Sequence, residues 1–462
     1  MTARHRNGSR DRLGEMEIPM SLTVTFVSNY INHHQIPFCE AMLSRIGDGF
    51  VFVQTQDMEE ERLAMGWTDE SDRLDWVISW KEEGKLARSE ILSCDLLIAG
   101  WAPEAQDAIE QRLSLHRPVF RISERIYKDG QWKVISPRGL AAKYREHIRY
   151  RREPYFLLCA GAYVASDFRL IHAFPHKMYC WGYFPPMRVY KEGRPPIRHR
   201  SAQDAARLVW AGRFADFKHV ERALTLAGRL ADDGRKFVLH IVGGGSGSSQ
   251  EKAEEAAHRY VKEHGLEEKV VFHGFCSPGD VRRCMEESDI FLLTSDRGEG
   301  WGAVLNEAMN SGCAPVAGAS AGAVPYLVRN GVNGYIYSDG DEEDFTAKVE
   351  RLIDDSELCE RFAAMAYRSI RASWNADTAA QRLLRFGETV LDACDKAAEE
   401  AQHSGARAKG LPMQLLNRDL PMEGPMSVAP LIKPYLEVSR MASNRDYYRR
   451  MNSRMDSGQT TD

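Results

Sequence analysis

Two carboxylates eight residues apart, Glu299 and Glu307, flank a glycine-rich turn in the stretch SDIFLLTSDRGEGWGAVLNE that begins at Ser288. Carboxylates accept hydrogen bonds from hydroxyls, and a turn that opens a helix holds anions, a combination that suits a sugar nucleotide. The apolar run Ile290 to Leu293 has the length and continuity of a strand covered on both faces, and Ala303 to Asn310 then turns helical. Gly300 and Gly302 let the backbone approach a ligand, and the first N–H groups of the helix, near Ala303 and Val304, make a site for a diphosphate. Glu299 would then face the transferred sugar and Glu307 the ribose. The bland alternative is an acidic turn that caps a core helix.

Two further segments bear on that choice. LVWAGRFADFKHVERAL, from Leu208, is a short strand followed by Arg213 and, just ahead of a helix, Lys218. Two cations five residues apart on a loop after a strand can grip a pyrophosphate, Arg213 as a fork and Lys218 as a point charge. A solvated charged face is the competing account. LHIVGGGSG, from Leu239, runs a strand straight into Gly243, Gly244 and Gly245, where backbone meets a ligand or a surface linker begins.

In order, GRF with its following Lys218, IVGGG, VVFHGF and EGWGAVLNEAMNSGCAPVAGASAGAVPYLVRNGVNGYIY resemble the donor half of a GT-B glycosyltransferase of family 4, the large retaining group, over about residues 205–386. The E-x7-E pattern of that family falls on Glu299 and Glu307. The resemblance implies that Arg213 and Lys218 hold the donor phosphates, that Glu299 contacts the sugar, and that Glu307 contacts the ribose. It implies further that Gly243, Gly244, Gly300, Trp301, Gly302, Ala303 and Val304 line the donor, and that Phe275 holds the base, largely through backbone. Trp301 stands where Phe is more usual and Asn306 precedes Glu307, departures expected to bear on which sugar is accepted. The implied donor is a UDP- or GDP-sugar, used without cofactor or metal.

The expected fold is α/β: two Rossmann-like domains facing a cleft, with a C-terminal crossover helix. The boundaries read as a disordered extension over 1–19, an acceptor-side domain over 20–190, a linker over 191–204, a nucleotide-sugar domain over 205–375, the crossover helix region over 376–404 and an irregular tail over 405–462. LTVTFVSNYINHHQIPFCEAMLSRI, from Leu22, is a strand, a polar turn and an amphipathic helix, the opening of a Rossmann-like unit. Its NHHQIPF phrase resembles a subset of bacterial surface-polysaccharide transferases. Ligands of open α/β sheets sit beyond the carboxyl ends of the strands, which makes His33, His34, Gly100, Trp101, Ser123 and Glu124 the acceptor-side candidates. Glu124 as a helix cap, or as a partner of Arg121 or Arg125, is the alternative.

Composition narrows the class. The 462 residues exceed one usual domain. Nine cysteines without CxxC spacing favour reduced thiols and a cytoplasmic setting, with the inner membrane face a further option. The charge of −5 argues against a nucleic-acid partner, and no apolar stretch reaches about 18 residues. His172 and His176, set among Phe and Pro, do not read as metal ligands. KYREHIRYRR, from Lys143, reads either as a solvated helix face or as a basic, aromatic-studded surface for peripheral membrane contact. The expectation is a retaining transferase acting from a nucleotide-sugar donor on a glycan or lipid-linked sugar acceptor, in surface polysaccharide synthesis. A nucleotide-sugar epimerase on the same fold, or a catalytically silent partner subunit, are the alternatives.

Overall fold

The computed structural model describes residues 22–433 apart from 61–68, 70, 129, 194, 202, 246 and 405–409. The expectations for 1–19 and for the last residues of the tail lie outside the described residues.

Two parallel sheets carry the chain. The first is built from β1 (Val24–Ser28), β2 (Phe50–Gln54), β3 (Val77–Ser79), β4 (Leu96–Ala99), β5 (Val119–Ser123), β6 (Tyr155–Ala160) and β7 (Met178–Trp181), in the order β3-β2-β1-β4-β5-β6-β7. The second is built from β8 (Ala206–Ala211), β9 (Phe237–Val242), β10 (Val270–Phe272), β11 (Ile290–Leu293), β12 (Ala314–Gly318) and β13 (Tyr335–Tyr337), in the order β10-β9-β8-β11-β12-β13. Strands β1, β4, β6, β11 and β12 are buried at every residue, as continuous apolar runs must be when helices cover both faces of a parallel sheet. In each sheet the order of strand addition reverses beside its first strand, β1 or β8. The carboxyl ends around that switch point are where such sheets bind ligands.

One apolar core reaches across both lobes, joining Phe26, Ile98 and Phe156 of the first to Leu293, Leu305 and Trp301 of the second. The chain touches the second lobe before residue 191: Arg188 Nη1 meets Glu286 at 2.6 Å, and the Arg188 N–H donates to Asn310 Oδ1 at 2.8 Å. The long helix Ala376–Ser404 returns to the first sheet. Phe386 packs against Phe120, Phe156 and Tyr179, and Arg45 pairs with Asp377 at 2.6 Å. The proline-rich stretch after it is not merely irregular. Val428 forms an antiparallel bridge to Tyr179, the Met426 N–H donates to the Cys180 carbonyl at 2.9 Å, and the edge strand β7 is thereby covered.

Candidate functional site

The loops after β8 and β11 are tied together by their own hydrogen bonds. Trp210 Nε1 donates to Thr294 Oγ1 at 2.8 Å, Thr294 Oγ1 donates to the Lys218 carbonyl at 2.6 Å, and the Asp296 N–H donates to the Phe217 carbonyl at 2.9 Å. That lacing brings Lys218 Nζ into an ion pair with Glu299 Oε2. The two side chains are only 14% and 13% exposed, and Ser295 Oγ donates to the same carboxylate oxygen at 3.1 Å. Arg213 lies on the same loop, half-buried.

Helix Ala303–Asn310 starts beside this pair, with Gly302 at φ +97° as the residue before its first turn. Ala303 and Val304, at the helix start, are partly exposed. Glu307 stands one turn further on. Burial pushes its carboxyl above the usual range, against the pull of Arg282 and Arg188. Gly243 also has positive φ, +120°, and a side chain there would run into the Gly212 carbonyl. Phe275 is 58% exposed, with its ring edge 3.0 Å from where a Cβ on Gly244 would stand, so the aromatic lies close against the glycine loop. Arg213, Lys218, Glu299, Gly300, Gly302, Ala303 and Glu307 thus gather around the β8 and β11 ends, with Gly243, Gly244 and Phe275 at the adjoining β9 and β10 ends.

Trp301 requires a correction. Its side chain is 1% exposed and lies in the core, over Gly182 and near Tyr326 and Trp374, with centroid distances of 6.2 and 5.8 Å. Its Nε1 donates to Asn306 Oδ1 at 2.9 Å. The two departures noted in the sequence are therefore partners in one internal hydrogen bond that packs the interlobe crossing, and the Trp301 ring does not face a donor.

On the opposite lobe, a cavity of about 590 Å³ opens at the carboxyl ends of β1, β4, β5 and β7, lined among others by His34, Gly100, Trp101, Ser123, Glu124 and Tyr183. None of the donor-side residues lines it. His33 is outside its lining, although its ring lies 3.9 Å from that of His34, and burial lowers its pKa. Ser123 Oγ donates to the Glu124 carbonyl at 2.8 Å, an internal turn bond. Glu124 pairs with neither Arg121 nor Arg125. It accepts from Tyr183 Oη at 3.0 Å and pairs with Lys128 at 2.6 Å, while Arg125 is held at 3.2 Å by the fully buried Asp167. Burial and the neighbouring Glu124 push the Tyr183 phenol well above its ordinary range.

The Glu124 carboxylate bridges the two halves: a Cβ on Gly300 would overlap it. Beside it the lobes touch backbone to backbone. The Ala162 N–H donates to the Gly322 carbonyl at 2.9 Å, and a side chain on Gly161 would collide with the Gly300 carbonyl. Tyr183, Lys128 and Ser295 are functional candidates that sequence reasoning missed. Tyr183 sits in KMYCWGYFPP, which reads as a passage toward the linker, and nothing local in the sequence shows it turned toward Glu124. The basic run at Lys143 is internally satisfied in part, with Lys143 on Glu146 at 2.9 Å and Arg149 on Glu110 at 2.6 Å.

Residues 196–369 match the family described as glycosyl transferases group 1. The D-inositol 3-phosphate glycosyltransferase of Streptomyces griseus is 30% identical over 194 residues, 41% of this chain and 40% of that protein. The lipopolysaccharide 1,6-galactosyltransferase of Salmonella typhimurium is 28% identical over 160 residues, 34% of this chain and 42% of that protein. The chain thus spans about two fifths of the length of these curated relatives. Among solved structures, Anabaena HepE in complex with UDP superposes with a TM-score of 0.58 at 15% identity, over 82% of this chain and all of that one. The lipopolysaccharide outer core galactosyltransferase WaaB gives 0.56 at 16% identity, over 79% of this chain and all of that one. Two facing parallel-sheet lobes with these neighbours are the GT-B fold. No described helix is long and apolar enough to cross a membrane.

Proposed function

We propose, from the match of residues 196–369 to the family described as glycosyl transferases group 1, that the chain is a retaining glycosyltransferase. It takes a sugar from a nucleoside diphosphate and places it on a glycan or lipid-linked acceptor of surface polysaccharide synthesis. The observation that carries the reading is the Lys218–Glu299 pair at the start of helix Ala303–Asn310, directly across the lobe contact from Glu124 and Tyr183. Two opposite charges of low exposure at a helix N-terminus are poised to separate when a donor arrives. The diphosphate takes Lys218 and the helix N–H groups, and a sugar hydroxyl takes Glu299.

The chemistry follows from that exchange. Departure of the diphosphate builds negative charge, which Arg213, Lys218 and the helix start stabilise without a metal, while Glu299 keeps the sugar oriented as it becomes oxocarbenium-like. The acceptor attacks from the face the diphosphate leaves, and the leaving phosphate takes the acceptor proton. Anabaena HepE is solved with UDP, which supports a nucleotide in this cleft. HPLC of a panel of UDP- and GDP-sugars incubated with the full chain tests the proposal: at least one donor should be hydrolysed slowly without acceptor, and hydrolysis should be lost in Lys218→Ala. A panel left intact, with no nucleotide bound in calorimetry, overturns it.

A further inference from the structure

We propose that His240, His273 and Cys284 form a binding site for a divalent transition-metal ion, zinc by its ligand chemistry, on the face of the second sheet that helix Pro278–Glu286 covers. Strands β9 and β10 pair His240 with Val271, so His273, two residues further on, projects to the same face as His240. His240 is also opposite Val209, whose side chain shares a core with Met285 of helix Pro278–Glu286, which places that helix over this face. Cys284 comes from it.

The donor atoms are already gathered. His240 Nδ1 lies 3.0 Å from His273 Nε2, and one ligand atom from each of the three residues lies within 4.8 Å of the others. Zinc with nitrogen ligands at about 2.0–2.1 Å and sulfur at about 2.3 Å sets tetrahedral neighbours roughly 3.3–3.6 Å apart. The two imidazoles stand near that spacing, and the thiol has a short distance to close. Two imidazoles and one thiolate form a donor set that favours zinc over calcium or magnesium, and solvent completes the fourth position.

The site shares no residue with the donor machinery, yet it is connected to it. Gly274 and Phe275 follow His273 directly, and the Gly274 carbonyl accepts from the Gly243 N–H at 2.9 Å. An ion that fixes His273 therefore fixes the loop beside the Phe275 ring.

Cobalt(II) titrated into the chelator-stripped full chain tests the proposal by absorption. One cobalt per chain should give an intense tetrahedral visible spectrum with a sulfur-to-metal charge-transfer band, and zinc should displace it. The charge-transfer band should vanish in Cys284→Ser, and cobalt affinity should fall roughly tenfold or more in His273→Ala. A parent protein without the sulfur band, or an equal band in Cys284→Ser, overturns the site. The parent spectrum decides even where a variant fails to fold, and none of these readouts depends on transfer activity.

Discussion

Replacing Lys218 with Ala perturbs two properties at once, and the structure separates them. The Lys218–Glu299 pair is about one-seventh exposed on each side, between the surface case, worth about 0–1 kcal/mol, and the fully buried case, where removing one partner costs about 3–5 kcal/mol. Ser295 still donates to the stranded carboxylate, so the stability loss should fall at about 1–3 kcal/mol. The catalytic loss is a separate quantity. If Lys218 stabilises the departing diphosphate, turnover should fall on the order of a hundredfold or more, as when one oxyanion donor is removed. A double variant, Lys218→Met with Glu299→Gln, removes both charges and should recover most of the lost melting temperature while remaining inactive. Scanning fluorimetry and release of nucleoside diphosphate from the donor measure the two effects on the same samples. Turnover of Lys218→Ala within about threefold of the parent, or a double variant that regains activity along with stability, would refute the assignment.

Three further outcomes follow from the geometry. Glu307→Gln should weaken binding of the free nucleoside diphosphate in calorimetry, whereas Glu299→Gln should spare it and damage turnover of the complete donor; equal losses would sink the division of roles. His34→Ala and Glu124→Ala should reduce transfer to acceptor and leave nucleotide affinity intact, since the cavity they line contains no donor-side residue; a parallel loss of nucleotide affinity would remove them from the acceptor side. Asp296 first, then Glu221, raise His219 to about 9, above its unfolded value near 6.5. The stability from that protonated imidazole is thus complete below about pH 6.5 and is lost as pH rises through about 9. Asp296 and Glu221 are themselves held low, and their share is lost only in acid. Relative to His219→Gln, the parent should lose an advantage of about 1 kcal/mol between those limits in thermal melts, a figure already discounted for solvent screening. A difference that stays constant across that window contradicts it.

What the sequence made legible was local. A four-residue apolar run without alternation, such as Ile290–Leu293, has the length of a strand covered on both faces, and the glycines and charges that follow it mark the strand end. The donor-side candidates could be picked out because Arg213, Lys218, Gly243 and Glu299 lie in the loops after such strands, and Glu307 one turn into the helix that follows. Trp301 misled because the resemblance alone put it on the donor, while its neighbours Gly182, Tyr326 and Trp374 come from distant segments. Tyr183 and Lys128 were invisible because what gives them meaning is the carboxylate of Glu124, 59 and 4 residues away, and no periodicity encodes that meeting.

The interlobe contact explains why so much of the proposed reaction centre is glycine. Gly161 and Gly300 approach so closely that a Cβ on the first would stand 2.8 Å from the Gly300 carbonyl, and Gly322 is packed against the same carbonyl. A side chain on Gly161 would wedge the lobes apart, because the carbonyl it meets belongs to the second lobe. Glu124 would then be carried away from Gly300, and water would gain entry beside Glu299, which accepts the Gly322 N–H through its carbonyl at 3.3 Å. Side reaction with water is the hazard a transferase must suppress, and exclusion of solvent also strengthens every charge contact in the site. In the proposed reaction the backbone contact would therefore serve the same chemistry as the Lys218–Glu299 pair, the pair holding the charges ready and the contact keeping water from the space around them.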